Sequence, residues 1–103
     1  MIVKILKMVT GEEIISFVSD TLDENNQKVG FTLTFPFVVL TRPTRNGEEL
    51  LFDVNYIAWM YASNTIEYNV PYSTLVAMGD PSPEIESSYR KRYEEFVAAL
   101  DNT

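Results

Sequence analysis

The side chains that most often carry out catalysis near neutral pH are missing from this chain. Its 103 residues include no Cys and no His, which excludes a thiol nucleophile, a thiolate zinc site, a disulfide framework and an imidazole acid–base pair. Ser, Thr, Tyr, Lys and the carboxylates remain, but they form no recognisable catalytic arrangement. We therefore expect a protein that is not an enzyme and that uses no cofactor.

Carboxylates are the remaining groups that could hold a metal ion. Glu12, Glu13, Asp20, Asp23 and Glu24 lie within a short stretch of chain, but their spacing does not match that of a calcium-binding loop. We expect a solvated loop there and no metal site.

A second polar pair, Asp53 and Asn55, interrupts an apolar strand and could line a pore or site. Alternation along the strand favours a solvent-facing register for both.

Phosphate recognition would depend on a few arginines, because the chain is acidic overall. Its 8 basic and 15 acidic residues give a net charge of −7, which repels polyanions at long range. Arg42 and Arg45 flank Pro43-Thr44 in a predicted loop, and an Arg side chain can pair with phosphate or stack on a base. Tyr61 and Tyr72, next to turns, are the aromatic residues least committed to a core. Any RNA binding is therefore predicted to be weak and salt-dependent, with Arg42, Arg45 and Tyr72 as the RNA-binding residues.

The elements that would position these residues are mainly strands. Period-2 alternation of apolar residues predicts a hairpin around Gly11, a strand bent at Pro36, and loops over residues 20–27 and 41–49. The predicted strands cover residues 2–9, 13–19, 29–40, 50–61, 66–70 and 75–78. Along the third of these, Val29, Phe31, Leu33 and Phe35 are expected to share one face.

The C-terminal segment has the signals of an amphipathic helix. Ser82 suits the N-cap, Pro83 the first helical position, and acidic residues follow in the first turn. The predicted helix runs from about Pro83 to Leu100, and its apolar stripe should pack on the strands or on a neighbouring subunit. The stripe contains Ile85, Tyr89, Tyr93 and Phe96. The basic run Arg90–Arg92 is expected to form a solvated, salt-paired face rather than a phosphate site.

Strongly bent strands in about eighty residues favour a small barrel over a flat sheet. The predicted fold is therefore mainly β, a five-stranded strongly bent barrel over residues 1–79. Residues 80–103 supply the C-terminal helix of the same single domain.

The order of these signals resembles the Sm-like (LSm) family, and it is most similar to short Sm-like proteins encoded by phages. The likeness is to the turn and second strand of the family's first motif, to its third strand, and to later segments of the phage proteins. The matching segments are residues 10–15, 17–20, 31–38, 58–60, 67–71 and 80–84.

The resemblance implies a bent SH3-type barrel that assembles into rings, and it implies RNA as a partner by family analogy. Two positions depart from the RNA-binding members. Gly30 stands where they have an Asn, and Val70-Pro71 stands where they have an Arg-Gly pair. The family's RNA contacts therefore do not carry over, and its N-terminal helix has no counterpart here.

Two functions follow as expectations. The first is a non-enzymatic, ring-forming homo-oligomer of roughly five to seven subunits, associated with RNA. Its junction would pair residues 50–61 with residues 75–78 of a neighbour, because an open edge strand is a template for pairing. The alternative is an acidic structural or protein-interaction module that binds protein partners and no nucleic acid.

The location is expected to be cytoplasmic, in a bacterial host if the chain is phage-encoded. Lys4 and Lys7 interrupt the apolar N-terminal stretch, which does not match a secretory signal. No apolar run approaches the roughly 18 residues of a membrane span, so no membrane partner is expected.

Overall fold

The computed structural model describes residues 1–60 and 62–101, so Tyr61 and the end of the predicted strand that contains it lie outside the described residues. The elements are β1 (Ile2–Met8), β2 (Glu13–Leu22), β3 (Lys28–Asn46), β4 (Glu49–Ala58), β5 (Glu67–Pro71), a 3-10 turn (Tyr72–Thr74), β6 (Leu75–Gly79) and α1 (Pro83–Asp101).

All strand pairs of the described residues are antiparallel and belong to one sheet with the order β4-β3-β2-β1-β6. β5 pairs with the first half of β3, and β4 pairs with its second half. The mainly β fold with a C-terminal helix is confirmed. The five-stranded barrel is not confirmed: the described residues contain six strands, as many as the strand segments predicted along the chain, and the sheet is not closed.

The first hairpin forms where the sequence predicts it. Lys7 pairs with Glu13 at its closed end, and Gly11 has φ 95°, a conformation that a residue without Cβ adopts at little cost. The Gly11 amide donates to Met8 O at 2.9 Å, and the Met8 amide donates to Glu12 O at 2.9 Å.

The bend predicted at Pro36 is a β-bulge. Ile15 pairs with Phe37, but Phe17 pairs with Thr34, so Ser16 alone faces both Phe35 and Pro36. Phe35 has φ 58°, a conformation that bulky residues rarely adopt. The extra residue moves Phe35 off the face of Phe31 and Leu33, and this corrects the predicted alternation.

The two faces of the sheet bury two separate clusters. Val3, Ile15, Phe17 and Phe35 form one cluster together with Tyr89 of α1, and we call this side the helix side. The opposite face of the sheet buries a second cluster, which contains no residue of the helix. That cluster contains Leu6, Met8, Ile14, Leu33 and Val70.

The helix begins and packs as its sequence predicts. Ser82 Oγ accepts a hydrogen bond from the Ile85 amide at 3.3 Å, which is the expected N-cap. Tyr89 is completely buried, and the Phe96 ring lies 5.0 Å from the ring of Phe35, centroid to centroid. The apolar stripe therefore packs on the sheet of its own chain.

The predicted loop over residues 41–49 is almost entirely strand. The β3–β4 ladder continues to the pair Asn46–Glu49, which leaves a two-residue loop whose first residue, Gly47, has φ 68°. A positive φ at this position is typical of a tight hairpin turn. The Asn-Gly signal thus marks the end of a long hairpin rather than a broad loop. We call residues 40–55 the arm.

Candidate functional site

The two arginines predicted to bind RNA lie on the arm, three positions apart on β3. Arg42 pairs in register with Asp53, and Arg45 pairs with Leu50. Because side chains alternate along a strand, Arg42 and Arg45 point to opposite faces of the arm. The two guanidinium groups of one chain therefore do not form one basic patch.

Tyr72, the third predicted RNA-binding residue, lies at the other end of the sheet. Its ring makes an edge contact with Phe31, with centroids 5.0 Å apart. Phe31 belongs to the first half of β3, whereas Arg42 and Arg45 belong to its second half. The structure does not bring the three predicted residues together.

The two positions where the chain departs from the family's RNA-binding pattern do lie together. Gly30 pairs directly with Pro71. A Cβ atom added to Gly30 would lie 2.2 Å from the carbonyl oxygen of Val70, a separation that atoms cannot reach without movement of a strand. This place is closed to any side chain at position 30, including an Asn.

The basic run on the helix is occupied by contacts within the chain. Arg90 Nε donates to Glu86 Oε2 at 2.9 Å, and Arg90 Nη2 donates to Met1 O at 3.0 Å. Arg92 lies 5.4 Å from the ring centroid of Tyr56, on the helix side of the sheet. Arg90 forms the predicted salt pair, and Arg92 instead packs its charge against an aromatic face.

The most deeply placed titratable group is Tyr89, and its role is structural. Its hydroxyl donates to Phe35 O at 2.6 Å and accepts from the Phe17 amide at 3.2 Å. Both partners are backbone groups left unpaired by the bulge. Burial raises the pKa of Tyr89 well above its usual range, so the hydroxyl stays protonated at neutral pH.

In the predicted loop over residues 20–27, one acidic side chain stabilises a turn of the backbone. Asp23 Oδ1 accepts from the Asn25 and Gln27 amides, at 2.8 and 2.9 Å, and so shapes its own turn. Within residues 1–60 and 62–101, no group of three metal-ligating side chains is close enough to hold an ion. Asp53 and Asn55 are exposed, as their strand register predicts.

The feature that sequence reasoning missed is the apolar surface of the arm. Four of its large apolar side chains are about half exposed, between 46% and 58% of their surface. They are Leu40, Leu50, Leu51 and Phe52. A two-stranded hairpin is only marginally stable in water by itself. The alternation of Leu50, Phe52 and Val54 could have signalled this, but the predicted loop ended the ladder too early.

A cleft opens at the base of the arm, between the bulge, the β4–β5 connection and the end of α1. Its volume is about 510 Å³. Five of the thirteen described residues that line it are aromatic, three are polar and uncharged, and none is charged. The residues used below are Phe37, Trp59, Met60, Tyr68 and Phe96, and we call this the aromatic cleft. The Trp59 and Tyr68 rings meet edge to face, 5.7 Å between centroids.

No protein-family model matches the chain, and no curated protein matches it. Helix α1 lacks the long apolar run needed to cross a lipid bilayer, and no other helix of residues 1–60 and 62–101 has one.

Proposed function

We propose that this chain is a non-enzymatic assembly subunit, an Sm-like protein that forms a homo-oligomeric ring of roughly five to seven copies. The observation that supports this most is the pair of open strand edges. β4 and β6 end the path of the sheet, each paired on one side only among the described residues. An unpaired edge is a ready template for another strand, and pairing β4 of one copy with β6 of the next around a ring satisfies both of these edges at once.

The strand arrangement supports the Sm-like part of the proposal. β3 is a 19-residue strand, sharply bent at its bulge, and it pairs with β5 and β4 in succession. β6 then returns to β1. In the proposed ring, β4 of one subunit pairs with β6 of the next.

Protein contacts, rather than RNA, are the proposed role of the ring surface. The net charge of −7 per chain disfavours a polyanion. The tight contact between Gly30 and Val70 leaves no side chain at the place where RNA-binding Sm-like proteins carry one, and Arg42 and Arg45 face opposite ways. These observations favour the structural reading over the RNA-associated one.

A charge placed on the β6 edge tests this proposal. Val76 is on β6 with 68% of its surface exposed, and Val9, outside every strand, is 60% exposed. Val76→Asp should reduce the sedimentation coefficient toward that of a single chain, because its carboxylate would lie against a strand of the neighbour. Val9→Asp adds the same charge at a site of similar exposure and should sediment as the wild type does. Equal sedimentation of both variants and wild type would argue against the β6 edge as the junction.

A further inference from the structure

The arm presents two faces of different character, and one is nearly free of charge. Val39 and Tyr56 pair at its base and pack into the helix-side cluster. Alternation from this pair assigns the other members of the same face. They are Thr41, Pro43 and Arg45 on β3, with Leu50, Phe52 and Val54 on β4. We call this set the apolar face of the arm. Its single charge is the guanidinium of Arg45.

The same chain carries a concave surface that suits this face. The aromatic cleft, at about 510 Å³, is within the size range of sites that enclose small ligands, so it can receive one or two large apolar side chains. Its walls hold Trp59, Tyr68 and Phe96, and none of its described lining residues is charged. Aromatic anchors that fill such pockets commonly dominate the energetics of an interface.

Charge decides which occupant the cleft is suited to. Two copies with a net charge of −7 repel each other, so a contact between copies is favoured where neither surface contributes a carboxylate. The apolar face and the aromatic cleft both meet this condition, and Arg45 brings a cation to an acidic neighbour. The arm is also long enough to reach a neighbouring subunit, since the eight residues from Leu40 to Gly47 span about 25 Å in extended conformation.

We infer that the arm of one subunit docks into the aromatic cleft of the next, with Phe52 as the anchor and Leu50 beside it. This inference rests on the proposed ring and names its second contact, in addition to the β4–β6 edge. The contact joins two different patches, so it is heterologous, and head-to-tail contacts of this kind are what close a ring. Docking would also cover Leu50 and Phe52, two of the four half-exposed apolar side chains of a hairpin that is marginal in isolation.

Cysteine cross-linking tests the contact cleanly because the natural sequence contains no Cys. In the Leu50→Cys/Met60→Cys variant, one thiol lies beside the anchor and the other at the cleft, where Met60 is 46% exposed. A short bis-maleimide should link successive subunits and give a ladder on a denaturing gel. The longest rung should equal the subunit number from light scattering. Phe52→Cys/Met60→Cys is the second variant, and circular dichroism confirms that each variant is folded.

The matched control moves the first thiol away from the arm. Leu22 is 52% exposed and Leu50 is 51% exposed, so Leu22→Cys/Met60→Cys should give no ladder. Cross-linking of Leu50→Cys alone would show tip-to-tip contact and overturn the inference. An oligomer by light scattering without a ladder from either arm variant would overturn it too, while leaving the proposed ring intact. A monomer by light scattering would overturn both.

Discussion

At the scale of single residues, the fold depends on one hydroxyl group. At the bulge of β3, two residues lie opposite Ser16 on β2. Some backbone groups there therefore have no partner in the strand ladder. The Tyr89 hydroxyl, which comes from the helix, bonds to two of these backbone groups. Ser16 Oγ donates to a third, Thr34 O, at 3.0 Å. Buried backbone groups are almost always paired in native structures. The strained Phe35 conformation is therefore maintained by a side chain from a distant part of the sequence.

Removing the Tyr89 hydroxyl should measure this dependence. Tyr89→Phe leaves Phe35 O without its donor and should lower the free energy of unfolding by about 1–3 kcal/mol. Tyr93→Phe, four residues along the helix, is the control, because its hydroxyl bonds to none of the described residues. That change should stay within about 0.5 kcal/mol of wild type. Urea titration gives both values, and equal effects would contradict the role of Tyr89.

The difference between wild type and Tyr89→Phe should also depend on pH. Burial raises the pKa of Tyr89 in the folded chain, whereas an unfolded Tyr ionises near pH 10, approximately its reference value. Above that pH the unfolded state loses a proton that the folded state retains, so wild-type stability falls. The advantage of Tyr over Phe is complete below pH of about 10 and should shrink above it.

Gly30 is the second residue with a specific steric role. Gly30→Ala would place a Cβ atom 2.2 Å from Val70 O and push β5 away from β3, at an expected cost of about 1–3 kcal/mol. Gly79 is the matched control, because a Cβ atom there would meet nothing within 4 Å. Thermal unfolding at one protein concentration compares the two variants. A Gly30→Ala midpoint no lower than that of Gly79→Ala would contradict the close strand contact.

At the scale of elements, local signals were sufficient for some parts of the fold. Gly11 specifies the first hairpin, and Ser82 with Pro83 specifies the start of α1, because each acts on backbone groups within a few residues. The face of the sheet on which the Phe35 side chain lies could not be predicted from local signals. It depends on a bulge that Tyr89 completes from 54 positions away, and alternation alone continues the strand without a change of face.

The candidate site was less predictable than the fold for a related reason. The sequence predicts Arg42 and Arg45 as neighbours in a loop, but strand geometry separates them onto opposite faces. The aromatic cleft joins β3, the β4–β5 connection and the end of α1, which no local pattern connects. The apolar pattern of the arm was visible in the sequence, but its meaning depended on the solvent exposure that the structure supplies.

At the scale of the whole molecule, a chain with net charge −7 leaves apolar side chains half exposed along its arm, and among the described residues the outer edges of β4 and β6 have no partner strand. Burying apolar surface stabilises an assembly in proportion to the area removed from water. Joining β4 to β6 and the arm to the aromatic cleft would satisfy both features through contacts between copies. Self-association is therefore the property on which the proposed function depends most.

The mass of the unmodified chain in solution tests that claim most directly. Multi-angle light scattering behind a sizing column, at about ten to fifty micromolar protein and moderate salt, should give a single species of roughly five to seven subunits. Each subunit contributes 11.8 kDa. A species of 11.8 kDa across that concentration range would contradict the account.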